Sequence, residues 1–213
     1  MSGTSGVAPD ALDLAALLCS RVCHDLINPV GAIVNGLEVM DSSNKPEDRE
    51  FALDLIRKSA ASTSARLQFC RIAYGAAGSA GTQIDLDEAQ KVARGHLEDH
   101  KTKLTWNLPH MLMAKNRVKL LLNMLVIAQQ CIPRGGELIA DPVGDGDSMG
   151  FRIRAAGTNA REPHDLSAQL NVADGASVTA HAVQPYYTAL LARSCGLSVT
   201  VNAEADAVVV IAS

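Results

Sequence analysis

The chain reads as an α+β protein, with an N-terminal helical hairpin followed by a C-terminal α/β sandwich. Three observations predict this. Residues 10–75 carry two long helical patterns with apolar stripes, parted by the turn residues Ser42-Ser43-Asn44. Residues 75–81 read Gly-Ala-Ala-Gly-Ser-Ala-Gly, a small-residue linker. Beyond residue 83, short strand-like runs alternate with helical ones. The 213 residues thus divide into a disordered tail (1–9), a hairpin (10–75), a linker (76–82) and a second domain (83–213).

The start, Met-Ser-Gly-Thr-Ser-Gly, lacks the basic and apolar regions of a signal peptide. The first helix is expected from Asp10 to about Asp41, with Asp10 and Asp13 at the positive end of its dipole. Asn44 is expected to cap the second helix, with Pro46 in its first turn and Glu47 three residues after the cap. That helix reaches about Tyr74. A hairpin of two amphipathic helices cannot bury its apolar faces alone. Small residues from Ser59 to Ala65 permit close approach of a neighbour. Dimerisation into a four-helix bundle is the simpler solution, and packing against the C-terminal half of the same chain is the competing one. In the second domain, strands are expected near 83–86, 103–108, 137–140, 149–155, 176–180, 197–202 and 207–212. Helices are expected near 87–100, 115–132 and 183–195. The order suggests an antiparallel or mixed sheet.

Composition excludes several functions. A net charge of −4 with 20% charged residues offers no basic face for nucleic acid. No apolar run is read as reaching the roughly 18–20 residues of a membrane span. The five cysteines (Cys19, Cys23, Cys70, Cys131 and Cys195) are odd in number and scattered, which argues against a disulfide framework and for reduced, cytoplasmic thiols. Cys19, Cys23 and His24 have neither haem spacing nor a second ligand pair, so small buried thiols are expected rather than a metal site.

The informative run is His24-Asp25-Leu26-Ile27-Asn28-Pro29. With His24 at zero on a helical wheel of roughly 100° per residue, Leu26, Val30, Ile33, Val34 and Leu37 fall between about 180° and 280° and form the core stripe. Leu17, Asn28 and Gly31 fall within about 40° of His24, and Arg21 near 60°. The imidazole therefore points away from the core. A neutral imidazole is a nucleophile near neutral pH. Asp25 can fix its tautomer, and Arg21 can offset the charge of an incoming phosphoryl group. Gly31 leaves room for a partner. Pro29 has no N–H, so the carbonyl of Asp25 loses its helical donor and a bend is expected there.

This run resembles the H-box of histidine kinases of the dimerisation and histidine-phosphotransfer type, His-Glu/Asp-Leu-Arg-Thr/Asn-Pro-Leu. His24, Asp25, Leu26, Asn28 and Pro29 match, and Ile27 stands where a basic residue is usual. The resemblance implies that His24 carries the phosphoryl group, that Asp25 is the activating base and that Asn28 serves phosphatase steps.

The second domain resembles the ATP-binding (Bergerat) domain of the same kinases, in degenerate form. Arg117 to Leu138 looks like the N-box segment with its trailing Gly-Gly. Asn123 matches the first asparagine, but Ile127 replaces the Mg²⁺ ligand, and a hydrocarbon cannot coordinate Mg²⁺. In Phe151–Asn159, Gly157 survives from Asp-x-Gly-x-Gly, while Ala155 and Asn159 replace the aspartate and the second glycine. The phosphate-cradling Gly-x-Gly-Leu-Gly is absent, and Gln184-Pro-Tyr-Tyr-Thr188 places bulky side chains nearby. The runs Leu17–Asp25, Asn28–Ile33 and Asn35–Glu38 are very similar to the ChpT-type histidine phosphotransferases of alphaproteobacteria. That resemblance implies a cytoplasmic homodimer. It relays phosphate from the receiver domain of a hybrid kinase to the receivers of response regulators controlling the cell cycle. It needs no cofactor of its own, since Mg²⁺ comes with the receiver. Receivers are expected to dock through Arg21, Asn28 and Gly31. A divergent ATP-using kinase and a non-catalytic receiver-binding adaptor are the alternatives.

Other candidates carry less. His96 and His100 have the glutamate in the wrong place for a zinc protease, and a solvated helix face is expected. Asp141–Asp147 lacks the spacing of a calcium loop and reads as a turn between strands. Trp106 is expected in the sheet or core.

Overall fold

The computed structural model describes residues 9–75, 83–170, 178–179 and 182–213. The expected linker at 76–82 and all but residue 9 of the expected tail at 1–9 lie outside them. The expected α+β architecture is present.

Helix α1 spans Ala11–Ser42 and continues through Pro29. Asp10 is its N-cap, its carboxylate accepting from the N–H groups of Leu12 (2.8 Å) and Asp13 (2.9 Å). Helix α2 spans Pro46–Ala73. Lys45, not Asn44, takes its cap position and makes no side-chain cap bond. The proline, with φ preset for the first helical position, decides where the helix starts. The hairpin turn is held otherwise. Ser43 Oγ donates to Asp48 (2.7 Å), and Arg49 donates to the carbonyls of Met40 and Ser43. The two helices pack tightly where Gly36, the buried residue of α1, faces Ala52 and Ile56.

Five strands form a mixed sheet in the order β2-β4-β5-β7-β6. They are β2 Thr102–Trp106, β4 Gly136–Val143, β5 Gly150–Ala156, β6 Val199–Ala203 and β7 Ala207–Ala212. β2 pairs with β4 in parallel, and the other pairs are antiparallel. A second small sheet pairs β1 Gln83–Asp85 with β3 Leu112–Ala114. Alternation along β5 sends Phe151, Ile153 and Ala155 to the core and Arg152 and Arg154 outward, where they pair with Asp141, Glu204 and Asp206. Helices α3 Leu86–Leu97, α4 Lys115–Gln130, α5 Leu166–Leu170 and α6 Val183–Ser194 complete the domain. α4 is buried from Val118 to Ala128, because α2, α3, α6 and the sheet surround it. The backbone after α4 turns through Gly135 and Gly136, both with positive φ; a Cβ on Gly136 would lie 2.1 Å from the Ala156 carbonyl.

Several expectations are corrected. The helix expected at 87–100 stops at Leu97, because Glu98 turns extended and Asp99 accepts from the N–H groups of Lys101 and Thr102. The strand expected at 176–180 falls mostly outside the described residues, and its described members Val178 and Thr179 are not in a strand. β3 and α5 were not anticipated; three and five residues carry too little periodicity to show.

Phe69, Ile72 and Ala73 at the end of α2 belong to the same buried cluster as α3, α4 and the sheet. Among the described residues, the hairpin is thus anchored in the second domain through the end of α2. Along α1, Ile27 (66%), Val30 (44%), Val34 (48%) and Leu37 (51%) stay exposed in the single chain. The reading that no segment suits a membrane is corrected on length and composition: α1 is long and apolar enough to cross one. Alanine, leucine, valine and isoleucine between its few charges make it so.

Candidate functional site

The reactive turn of α1 faces two ways. His24 is 81% exposed, and its Nδ1 lies 3.4 Å from Oδ1 of Asp25, which is only 16% exposed. Arg21, one turn earlier, holds the other oxygen of that carboxylate, Nε to Oδ2 at 3.1 Å. Asp25 is thereby oriented from behind while the imidazole stands in solvent. A carboxylate at Nδ1 favours the tautomer with the proton there and leaves Nε2 as the nucleophile. The Asp25 carbonyl, deprived of a helical donor by Pro29, accepts instead from Arg66 Nη1 of α2 at 3.2 Å.

Behind the turn lies a cleft of about 620 Å³ between the hairpin and the ends of α3 and α4. Arg21, Asp25, Ser62, Arg66, His96 and Gln129 contribute to its walls. His96 stacks on Phe69 with ring centroids 4.1 Å apart, and its Nδ1 is buried with no partner. Burial, reinforced by Arg66, pushes its pKa down to about 4. The expectation of a solvated His96–His100 face is corrected: His96 faces the cleft, and His100 lies beyond the helix end.

A family model for the histidine phosphotransferase C-terminal domain matches residues 86–207. The protein phosphotransferase ChpT of Brucella abortus (strain 2308) is 48% identical over 204 residues, which are 95% of this chain and 96% of that one. The chain belongs to the histidine phosphotransferase family. A bacterial phosphotransferase solved at 1.7 Å matches it with a TM-score of 0.86 and 44% identity, covering 99% of this chain and 100% of the other.

In this phosphotransferase, the other expected site residues sit on the outer side of α1. Asn28 is exposed, and a Cβ built on Gly31 meets nothing within 4 Å. Both share the open side of the helix with His24, whereas Arg21 is turned towards the cleft.

Of the residues aligned with nucleotide-binding positions, Asn159 is exposed with φ 67°, while Asn123, Ile127, Ala155 and Gly157 are engaged in packing. Asn123 is fully buried. Its Nδ2 donates to the carbonyls of Ala73 (3.1 Å) and Lys119 (2.8 Å), and its Oδ1 accepts from Gln184 Nε2 at 2.6 Å. Gln184 Oε1 in turn accepts from the Tyr74 hydroxyl at 2.6 Å. Burial drives the Tyr74 pKa up, so the phenol stays a donor. Ile127 and Ala155 lie in the core. Gly157 is required by its neighbour, since a Cβ there would sit 2.4 Å from the Gly135 carbonyl. Sequence reading did not find this network; the long separation of Tyr74, Asn123 and Gln184 in the chain left no local signal.

Cys70 and Cys131 are buried, their thiols pushed up to about 11 and about 12 chiefly by desolvation. Cys19 and Cys23 are exposed in the single chain, which corrects the expectation that they are buried. They lie on the α1 face that the described residues leave uncovered. Among the described residues no group of His, Cys, Asp and Glu could hold a metal ion. Asp141, expected in a turn, lies in β4, which runs to Val143, and pairs with Asn107 and Arg152; Trp106 lies in β2 against the core.

Proposed function

We propose that this chain is a phosphorelay intermediate that carries a phosphoryl group on His24 between aspartates of receiver domains. The observation that carries the reading is the exposed imidazole with its Nδ1 beside an Arg21-held Asp25. The Nε2 lone pair attacks the phosphorus of an aspartyl phosphate. The N–P bond forms, the P–O bond to the receiver's carboxylate breaks, and that carboxylate leaves as an anion. The imidazole, still protonated at Nδ1, becomes cationic, and Asp25 stabilises it. Attack by an acceptor aspartate reverses these bonds. Mg²⁺ comes with the receivers, and this chain binds neither metal nor ATP, a reading supported by the burial of Ile127 and Ala155 and the engagement of Asn123.

Donor and acceptor are read as the receivers of a hybrid kinase and of cell-cycle response regulators, docking over His24, Asn28 and Gly31 with Arg21 behind. Residues 10–75 form the phosphotransfer hairpin and 83–213 a degenerate ATPase-like domain. Two chains pair through the uncovered stripe of α1 into a four-helix bundle, in the cytoplasm. Phosphorylated receiver carrying ³²P should label the wild-type chain, and the label should then pass to a second receiver. His24→Ala should accept none. Acceptance by that variant would displace His24 from the role, and self-labelling from ³²P-ATP with Mg²⁺ would make the chain a kinase.

A further inference from the structure

We propose that Arg66 is a positioning residue of the transfer site: it replaces the backbone donor that Pro29 removes and so holds the reactive turn of α1 against α2. The inference rests on the reading of His24 as the phosphoryl acceptor. In an uninterrupted helix, the N–H of residue 29 would bind the Asp25 carbonyl. Proline has no N–H, so that oxygen is orphaned on the side of α1 that faces the cleft. Arg66 Nη1 fills the position at 3.2 Å, while its Nε, 3.4 Å from Ser62 Oγ, ties the guanidinium back to its own helix.

Asp25 is consequently held at two points by two arginines. Arg66 fixes its backbone and Arg21 its carboxylate. The carboxylate meets His24 Nδ1 at 3.4 Å, a distance that a small rotation of the turn would lengthen beyond use. A lysine has no planar fork and cannot span the Asp25 carbonyl and Ser62 together. Pro29 frees a carbonyl, and the neighbouring helix, instead of the same one, occupies it. The bond therefore sets the height and rotation of His24 relative to the hairpin.

The test is a double-mutant cycle of Arg66→Met and Pro29→Ala, read as transfer rate from a phosphorylated receiver over a range of receiver concentrations. Alanine at 29 returns an N–H to the Asp25 carbonyl. Arg66→Met alone should slow transfer at saturating receiver by about tenfold or more, with little change in the half-saturating concentration. In the Pro29→Ala background the same change should cost less than about threefold. The ¹³C shift of the Asp25 carbonyl should move in Arg66→Met and recover in the double variant. Equal losses in both backgrounds, or an unaltered rate in Arg66→Met, would overturn the proposal. If Pro29→Ala is itself inactive, an unmoved Asp25 carbonyl shift in Arg66→Met overturns it. A wild-type chain that accepts no phosphoryl group, or a His24→Ala variant that does, defeats the reading beneath it instead.

Discussion

The fate of single residues in this protein is set by which side of α1 or α3 meets a neighbour, and His96 shows the consequence most sharply. Its ring lies on Phe69 with Nδ1 sealed, and its pKa falls from 6.5 to about 4, first through burial and then through Arg66. In the unfolded chain the imidazole takes its proton near pH 6.5, while the folded chain refuses it until about pH 4. Between those values the unfolded state binds more protons, so stability rises with pH. The contribution is complete above about pH 6.5 and is lost as pH falls towards 4, by on the order of 3 kcal/mol. His96→Phe keeps the stacking and removes the titration. Its urea midpoint should fall less than wild type's across that window, and parallel curves would refute the assignment. The His24 turn was legible because five matching residues lie within six positions. His96 was not, because its burial comes from α2 packing on α3, which spacing within one helix does not report.

At the scale of elements, two glycines of α1 separate packing from access. A Cβ at Gly36 would come 2.6 Å from Ile56 Cγ1 and 3.2 Å from the Ala52 carbonyl. One at Gly31 meets nothing within 4 Å. Gly36→Ala should therefore cost about 1–2 kcal/mol, overpacking outweighing the gain in helix propensity. Gly31→Ala should gain about 0.5–1 kcal/mol by thermal denaturation. If receivers approach over Gly31, the stabilised variant should nevertheless transfer phosphate more slowly, and an unchanged rate would remove Gly31 from the docking face. The long helices and most of the sheet strands were readable because their periodicity extends over whole turns or several alternations. The Tyr74–Gln184–Asn123 chain was not, for it joins α2, α6 and α4 only after folding. That network also accounts for Asn123, whose presence in the sequence resembles a nucleotide contact and whose bonds are structural.

At the scale of the whole molecule, anchoring is one-sided: α2 ends in the core of the second domain, while Leu12, Cys19, Cys23, Val30 and Leu37 of α1, at heptad-like spacing, are left exposed by the described residues. Burying one such aliphatic side chain is worth about 1.5–3 kcal/mol. Association costs on the order of 4–15 kcal/mol, so one stripe against a polar surface is marginal. A two-fold pairing doubles the gain, because each stripe covers its copy. A lipid surface is the competing partner for an apolar helix of this length, but spanning a bilayer would strand Arg21, His24 and Asp25 in hydrocarbon. Val30→Glu with Val34→Glu would place like charges from both copies in one seam. Sedimentation should show wild type as a dimer and this variant as a monomer at about 100 μM, and the wild-type melting temperature should rise with concentration. Far-UV circular dichroism should change little, since the α2 anchor and the sheet are untouched. A variant that stays dimeric, or a wild type that is monomeric and partitions into vesicles, would assign the stripe to another partner.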